Sequence, residues 1–258
     1  MKFYKYHGTG NDFILIDNRD NSINISQSTI KNICHRKFGI GADGLMLLNK
    51  HSSFDFEMQY FNSDGNEGTM CGNGGRCIVA FAKKLNIINY STTFKANDGI
   101  HKAIISDTNI VELEMQDVKN ITQINNGYFL NTGSPHFVIF SQNINEIDIK
   151  TEGKKTRNAD SFKPNGTNVD FVELTDNKIF VRTYERGVED ETLSCGTGVT
   201  ASAIASNFSS DSDISLYQIK TLGGNLEVSF DKISKNHFSN IKLTGPTKLV
   251  FEGEININ

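Results

Sequence analysis

Two stretches of the sequence show the same succession of apolar and polar positions. In Phe54–Tyr60, apolar residues alternate with polar ones, a pattern that predicts a half-buried strand. A polar, glycine-containing loop follows. The run RCIVAFAKKL then predicts a helix, because it is rich in helix formers and ends in lysines, which suit the negative end of a helix dipole.

The second stretch lies far downstream. Lys178–Glu185 has the composition of a strand, and the segment RGVEDETLS after it is expected to be a loop whose acidic run is solvated. The run VTASAIASNF then predicts a helix, and because it is small and apolar on most faces, we expect this helix to be buried.

A cysteine among glycines stands between strand and helix in both stretches, in CGNGG from Cys71 and CGTG from Cys195, and the two cysteines are 124 residues apart. Further landmarks recur in the same order at spacings of 123 or 124, namely Gly10 with Gly133, Phe61-Asn62 with Tyr184-Glu185, and Gly44 with Asn168. The sequence therefore predicts two halves of similar fold related by a pseudo-twofold axis. We place them at residues 1–118 and 119–245, with 246–258 returning to the first half.

Composition and charge narrow the classes of protein to which this chain can belong. The net charge of −4 argues against a role on nucleic acid or on an anionic membrane. The chain does not start with a signal-peptide pattern, and no apolar run approaches the ~18 residues that span a bilayer. We therefore expect a cytoplasmic protein.

The cysteines are too few and too scattered for a disulfide framework, and without C-x-x-C spacing we expect no metal site. Cys34 and Cys77 are expected to pack in the core as small hydrophobes. Cys71 and Cys195 stand where a helix begins, and there unpaired N–H groups and the positive end of the dipole favour a thiolate or a bound carboxylate. The glycines let backbone donors approach a ligand closely.

One such position is compatible with a nucleophile, a redox cysteine, an anion pocket or a buried structural thiol. A nucleotide loop at Gly72-Asn73-Gly74-Gly75 is disfavoured, because this segment lacks the G-x-G-x-x-G spacing and the chain contains no G-K-[ST]. Two such positions in matched halves favour a stereoinversion. One thiolate would remove a proton from one face of a carbon, the opposite thiol would return a proton to the other face, and the helix dipoles would stabilise the intermediate.

The segments GTGNDF, FNSDG, MCGNGGRC, GSPH, NGTNVDF, YERGVEDET and SCGTGV, in this order, resemble diaminopimelate epimerases over essentially the whole chain. The resemblance implies a cofactor-independent enzyme that interconverts LL- and meso-2,6-diaminopimelate for lysine and peptidoglycan-precursor biosynthesis. It implies an α/β fold in which each domain is a strand-rich barrel wrapped around a central helix. It also implies a homodimer.

The resemblance assigns residues as well. Cys71 and Cys195 match the proton-transfer residues, and Arg186 matches the partner of the distal carboxylate. His136 and Glu185 match polar residues that flank the cysteines. The full set of matched substrate-binding positions is Asn11, Asn62, Gly72, Asn73, Asn168, Glu185, Arg186, Gly196 and Thr197.

Three positions depart from the resemblance. Gly44 stands where many members carry Gln, Ser134 where many carry Asn, and Phe251 where some carry Tyr near the dimer interface. The first two put a direct substrate contact in doubt, and the third puts a dimer contact in doubt.

Three other functions compete with this interpretation. A proline or hydroxyproline racemase shares the two thiols but has no need of Arg186 and usually carries His where this chain has Asn73. A phenazine-type isomerase lacks the paired thiols. A non-catalytic binding module would not need to retain both cysteines together with Arg186.

Overall fold

The computed structural model describes residues 1–68, 70–175 and 178–256. The chain forms two compact units, the first made of Met1–Leu113 with Gly245–Asn258 and the second of Glu114–Thr244. No helix in the described part of the chain is long and apolar enough to cross a membrane.

Strands dominate both units. The first seven strands are β1 (Lys2–Gly8), β2 (Asn11–Asp17), β3 (Gly44–Asn49), β4 (Glu57–Asn62), β5 (Ser91–Ala96), β6 (Gly99–Ile105) and β7 (Ile110–Glu114). The strands that follow are β8 (Val118–Lys119), β9 (Thr122–Ile124), β10 (Gly127–Asn131), β11 (Pro135–Phe140), β12 (Asn168–Thr175), β13 (Lys178–Glu185), β14 (Asp190–Thr192), β15 (Leu216–Thr221), β16 (Gly224–Ser234) and β17 (His237–Pro246). The last strand, β18 (Lys248–Glu254), pairs antiparallel with β1.

Helices connect the strands that run parallel. They are α1 (Gln27–Cys34), α2 (Gly72–Lys84), α3 (Ile149–Arg157) and α4 (Gly196–Ser210), with short 3₁₀ turns at Ile144–Glu146 and Asp160–Phe162. Parallel neighbours need such crossover connections, whereas antiparallel neighbours need only a turn.

The two units repeat one order of pairing. From β1 to β6 the neighbours are antiparallel, parallel, antiparallel, parallel and antiparallel. The series β10, β11, β12, β13, β15 and β16 follows the same order. In both units the first parallel pair encloses a short helix and the second encloses the long one. The expectation of an α/β fold with two similar halves is confirmed.

The long helix is the centre of each unit. In α2 every residue from Gly72 to Ala82 is buried, and in α4 Gly196 and all of Gly198–Asn207 are buried. Glycine lets strands approach these helices closely. A Cβ at Gly198 would collide with Asp170 Oδ1, and one at Gly74 would collide with the methyl group of Met46. The predicted burial of the second helix is thus observed, and the first is buried equally well.

One predicted strand begins later than expected. The structure places β4 at Glu57–Asn62, whereas the alternation had suggested Phe54–Tyr60. His51 Nδ1 accepts hydrogen bonds from the backbone N–H groups of Ser53 and Phe54, which hold a turn there. The local hydrogen bonds of the turn outweigh the apolar alternation, as expected for side chains that bond to nearby backbone.

The segment after β13 is not simply a solvated loop. It contains β14, which pairs back on β13 through Glu185 opposite Asp190. Cations anchor the acidic run, because Arg182 binds Glu191 at 2.6 Å, Lys150 binds Asp190 at 2.7 Å and Arg157 binds Glu189 at 2.8 Å. Lys150 and Arg157 are 40 and 32 residues from their partners, so local composition did not indicate them.

The two helix glycines should differ in their tolerance of alanine. At Gly198 the new methyl group meets a carboxylate held by two hydrogen bonds, whereas at Gly74 it meets the flexible end of Met46. We expect Gly198→Ala to lower the free energy of unfolding by about 1–3 kcal/mol. Gly74→Ala should stay within about 1 kcal/mol of the parent, since the helix propensity of alanine offsets a small repacking. Urea unfolding measures both, and equal losses would contradict the packing explanation.

Candidate active site

Cys71 immediately precedes α2 in extended backbone geometry, with φ −100° and ψ 129°. The first intrahelical hydrogen bond runs from Gly75 N–H to Cys71 O at 2.7 Å. The N–H groups of Gly72, Asn73 and Gly74 therefore have no acceptor inside the helix, as at any helix start. They form the expected donor cluster beside the half-buried sulfur of Cys71.

Asn11, at the start of β2, contacts this cysteine. Its Nδ2 donates to Asp43 Oδ2 at 2.7 Å, which turns Oδ1 toward Cys71 Sγ at 3.6 Å and Asn73 Nδ2 at 3.3 Å. Three residues predicted for the site, Asn11, Cys71 and Asn73, are thus brought together in the first unit.

A fully buried arginine lies below this group. Arg76 Nη2 donates to Asn73 Oδ1 at 2.8 Å and Thr9 Oγ1 at 3.3 Å, and Nη1 lies 3.5 Å from Gly72 O. Burial lowers the pKa of Arg76 to about 10, so the group is still a cation at neutral pH. Its bond to Asn73 Oδ1 directs the amide of Asn73 toward Asn11.

An ion cluster supports Asn11 from the other side. Arg36 binds both Asp12, at 2.8 Å, and Asp43, at 2.6 Å, and Lys5 binds Asp12 at 2.6 Å. Lys5 also donates to the carbonyl of Gly41. Burial opposes ionisation of Asp12, but hydrogen bonds from Arg36 and Lys5 outweigh it and lower the pKa of this carboxyl group.

Cys195 precedes α4 in the same geometry, with φ −117° and ψ 114°. Val199 N–H donates to Cys195 O at 2.9 Å, so the N–H groups of Gly196 and Thr197 have no acceptor inside the helix. Burial, followed by the carboxylates of Glu185 and Asp170, raises the pKa of the Cys195 thiol well above its usual value. Hydrogen bonds from Thr197 and the Gly198 N–H oppose this rise.

His136 is buried and bonded on both sides. Its Nδ1 lies 2.7 Å from Asp170 Oδ2, and its Nε2 lies 2.9 Å from Thr197 Oγ1, which in turn lies 3.4 Å from Cys195 Sγ. Thr183 Oγ1 donates to the other oxygen of Asp170 at 2.7 Å. A continuous polar chain therefore runs from Asp170 through His136 and Thr197 to the sulfur.

Asn168 is held by hydrogen bonds on both sides of its amide. Its Oδ1 accepts from Arg186 N–H at 2.8 Å, and its Nδ2 donates to Pro135 O and to Ser134 Oγ, both at 2.9 Å, which settles the orientation of the amide. These two bonds use both hydrogens of Nδ2, which also lies 3.4 Å from His136 Nε2.

Arg186 follows β13 directly. Its Nη1 lies 3.3 Å from Asn165 O, and its side chain lines a cavity of about 460 Å³ together with Pro135, Phe162, Lys163 and Asn165. The guanidinium is half-buried, which leaves it able to receive an anionic group. Asn168 thus supports Arg186 through its backbone, in addition to any role toward a ligand.

Two departures from the resemblance have structural explanations. A side chain at Gly44 is excluded, because its Cβ would lie 2.6 Å from Phe61 O and 2.5 Å from the ring of Tyr60. Ser134 Oγ accepts from Asn168 Nδ2 at 2.9 Å, so its hydroxyl is already engaged. Asn62 is exposed at the end of β4, directly opposite Gly44 in the ladder.

The remaining cysteines are core residues. Cys34 and Cys77 are 2 % and 0 % exposed, and burial raises the pKa of both thiols, that of Cys34 to about 12. No group of His, Cys, Asp and Glu suited to hold a metal ion occurs in the ranges that the structure describes.

Sequence reasoning missed three residues that hold the site. Asp170 lies in the quoted segment NGTNVDF and Arg76 in MCGNGGRC, but neither was given a role, and Asp43 was not considered. A charged residue at a buried position of a strand or helix is the signal that could have found the first two, because such charges are retained only with partners.

A family model described as diaminopimelate epimerase matches residues 3–121 and 128–250. A diaminopimelate epimerase of Flavobacterium psychrophilum is 54% identical over 258 residues, covering 99% of this chain and 100% of the relative. One of Chlorobaculum tepidum is 40% identical over 259 residues, covering 97% and 99% of the two chains.

Solved structures share the fold at low identity. A Bacillus anthracis protein of the PhzF phenazine biosynthesis family matches with a TM-score of 0.76 at 14% identity, over 100% of this chain and 99% of its own. A probable proline racemase from Agrobacterium radiobacter matches with a TM-score of 0.71 at 12% identity, over 100% and 93%. At such identities these likenesses establish the fold alone.

The ion cluster of Lys5, Asp12, Arg36 and Asp43 should make the free energy of unfolding depend on pH. Because the folded-state pKa of Asp12 lies below its unfolded value of about 3.9, its contribution is present above that pH and is lost as the pH falls further. We expect Asp12→Asn to lower the free energy of unfolding by about 1–3 kcal/mol at pH 7 and by less near pH 3.

Urea unfolding at both pH values measures this difference. The control is Asp17→Asn, which breaks the more exposed pair with Arg19 and should cost about 0–1 kcal/mol. A loss for Asp12→Asn that is independent of pH would contradict the assignment.

Proposed function

Since the chain belongs to the diaminopimelate epimerase family and is thus an isomerase, we propose that it interconverts LL- and meso-2,6-diaminopimelate by proton transfer between two cysteines. The cysteines are Cys71 and Cys195. The reaction would serve lysine and peptidoglycan-precursor biosynthesis.

One observation carries this proposal. Each unit places a cysteine at the start of its own buried central helix, after the same order of strands, with the first N–H groups of the helix beside the sulfur. A single such thiol would suit many reactions. Two of them in repeated halves supply one base and one acid of the same chemical type, as inversion at a carbon requires.

The proposed step conserves protons and electrons. One thiolate takes the α-proton and becomes a thiol, and the pair of electrons from the C–H bond delocalises into the α-carboxylate. The other thiol gives its proton to the opposite face of the carbon and becomes a thiolate. No electrons are exchanged with a cofactor, and we propose that none is needed.

The helix starts would bind the reacting carboxylate. The backbone N–H groups of Gly72, Asn73, Gly196 and Thr197 belong to the first turns of their helices and lie at positive dipole ends. Such fixed donors stabilise charge that accumulates on the carboxylate as the carbon is deprotonated.

Side chains would supply the remaining contacts. Asn11 and Asn62 in the first unit, and Asn168 and Glu185 in the second, are proposed to bind the polar groups of the substrate. His136 is proposed to act as a supporting residue, because it reaches Cys195 only through Thr197.

Arg186 is proposed to bind the distal carboxylate. It lines the cavity described above, and a guanidinium matches a carboxylate with two parallel hydrogen bonds. A proline racemase has no distal carboxylate to bind, so Arg186 favours the diaminopimelate substrate over that rival.

Three further proposals rest on the resemblance. We propose a cytoplasmic homodimer in which β18 contributes to contacts, since Val250 and Phe251 are 51% and 47% exposed there. Sedimentation velocity tests the dimer. We also propose that residues 1–118 with 246–258, and 119–245, are the two epimerase halves.

Hydrogen exchange tests the reaction. We expect that incubation with LL-diaminopimelate in D₂O, without pyridoxal phosphate, places deuterium at one α-carbon and yields the meso product. Cys71→Ala and Cys195→Ala should each reduce epimerisation at least about 10³-fold, because each removes a proton-transfer group. Mass spectrometry and chiral chromatography measure both.

Cys34→Ala is the matched control and should keep most of the activity, since Cys34 is buried in the core of its unit. Racemisation of proline without exchange into diaminopimelate would refute the proposed substrate. Full activity in Cys195→Ala would refute the two-thiol mechanism.

A substitution at Arg186 tests the distal contact. Because the distal carboxylate does not change charge during the reaction, Arg186→Met should raise KM by about 100-fold and change kcat much less. Steady-state kinetics measure the two constants. Lys150→Met, which removes an exposed cation from the same unit, should change neither, and a loss confined to kcat would contradict this role.

A further inference from the structure

Arg76 is a buried cation bound only by neutral groups. Among the described residues its partners are Asn73 Oδ1, Thr9 Oγ1 and Gly72 O, and its Nε has no hydrogen-bond partner. The side chain is 0% exposed. A buried charge without a counter-ion is costly, and it attracts any anion that forms nearby.

Cys71 is the group nearby that can become such an anion. It lies five residues before Arg76 at the start of the same helix. Attraction of the guanidinium to the sulfur of Cys77, and then to that of Cys71, counteracts part of the lowering of the Arg76 pKa by burial. The same attraction must favour the thiolate of Cys71, because the interaction energy is shared by both groups.

Three further groups near Cys71 in the described part of the chain do not reverse this effect. Cys77, on the same helix, stays protonated because burial raises the pKa of its thiol. Asp43 is reached through Asn11, and together with Asp12 it is balanced by Arg36 and Lys5. The contact from Cys71 to Asn11 Oδ1 favours the thiol, but at 3.6 Å it is a weak bond of a weak donor.

Cys195 has the opposite surroundings. The carboxylates of Glu185 and Asp170 act on it, and both disfavour a second negative charge. His136 is bound to Asp170 at 2.7 Å and reaches Cys195 only through Thr197. Where the first unit has Arg76, the repeat places Thr200, whose hydroxyl bonds back to Gly196 O at 2.9 Å.

We propose that the two cysteines are electrostatically unequal, that Cys71 ionises before Cys195 as the pH rises, and that Arg76 is the positioning residue responsible. This inference rests on the proposed function for its meaning, since it makes Cys71 the base and Cys195 the acid at the start of a turnover. The substrate epimer that presents its α-proton to Cys71 then reacts with the resting enzyme directly. The reverse reaction requires a proton to pass from Cys195 to Cys71 first.

Thiol alkylation of the full-length protein without substrate tests the order. Iodoacetamide is applied at low conversion between pH 5 and 10, and mass spectrometry follows the Cys71 and Cys195 peptides separately. For each cysteine the midpoint is the pH at which the alkylation rate reaches half of its maximum. The two midpoints are compared, because a midpoint does not depend on how accessible a sulfur is. We expect the Cys71 midpoint to lie at least about one pH unit below that of Cys195.

Substitutions identify the cause. Arg76→Met should slow alkylation of Cys71 about tenfold below its midpoint and leave Cys195 unchanged. Arg76→Lys, which keeps the charge, should retain most of the wild-type midpoint. Lys84→Met removes an exposed cation from the last turn of the same helix and should have no effect. Glu185→Gln should lower the midpoint of Cys195.

A Cys195 midpoint at or below that of Cys71 in the unsubstituted protein overturns the proposal, and this comparison remains decisive if Arg76→Met does not fold. Equal shifts in Arg76→Met and Arg76→Lys would show a packing effect and also overturn it. Absence of deuterium exchange from diaminopimelate would instead refute the proposed function, and would leave the alkylation order untouched.

Discussion

The structure depends on one packing constraint, the burial of a helix that begins at a cysteine. A helix surrounded by strands has no water at its sides, so its surface must be largely apolar. In α4 glycine, alanine and short polar residues meet this requirement, whereas α2 combines glycine and alanine with larger apolar residues and the buried Arg76. Its first N–H groups still lack partners. The start of the helix is therefore the one part of it that must meet a polar ligand, a side chain or water.

The same backbone arrangement carries different chemistry in the two units. Around Cys71, amides and a buried guanidinium form the polar shell, whereas around Cys195 a carboxylate, an imidazole and a hydroxyl form it. Duplication thus preserved the order of strands and helices while the buried polar residues diverged. Because charges inside a protein act in a low dielectric, a few such substitutions suffice to make two equivalent thiols unequal.

Buried polar partners hold the groups of the site in place. Asn11 is oriented by Asp43, Asn73 by Arg76, and His136 by Asp170 and Thr197. Each of these pairs joins a residue that contacts the cysteine region to one that does not. At Gly44 the neighbouring residues exclude a side chain, because Tyr60 and the backbone of β4 occupy the space that it would need.

The sequence alone determined the repeat, the α/β class, the long central helices and the two cysteines, because these depend on periodicity and on glycine placement, which are local properties. The resemblance added the family. Only the tertiary structure decided which polar residues are buried together. Asp170 bonds to His136, Asp43 to Asn11 and Arg76 to Thr9 across 34, 32 and 67 residues, and spacing along a chain carries no information about such contacts. The late start of β4 and the pairing of β14 depend on nearer partners, but on turn hydrogen bonds and a strand return that apolar alternation does not report.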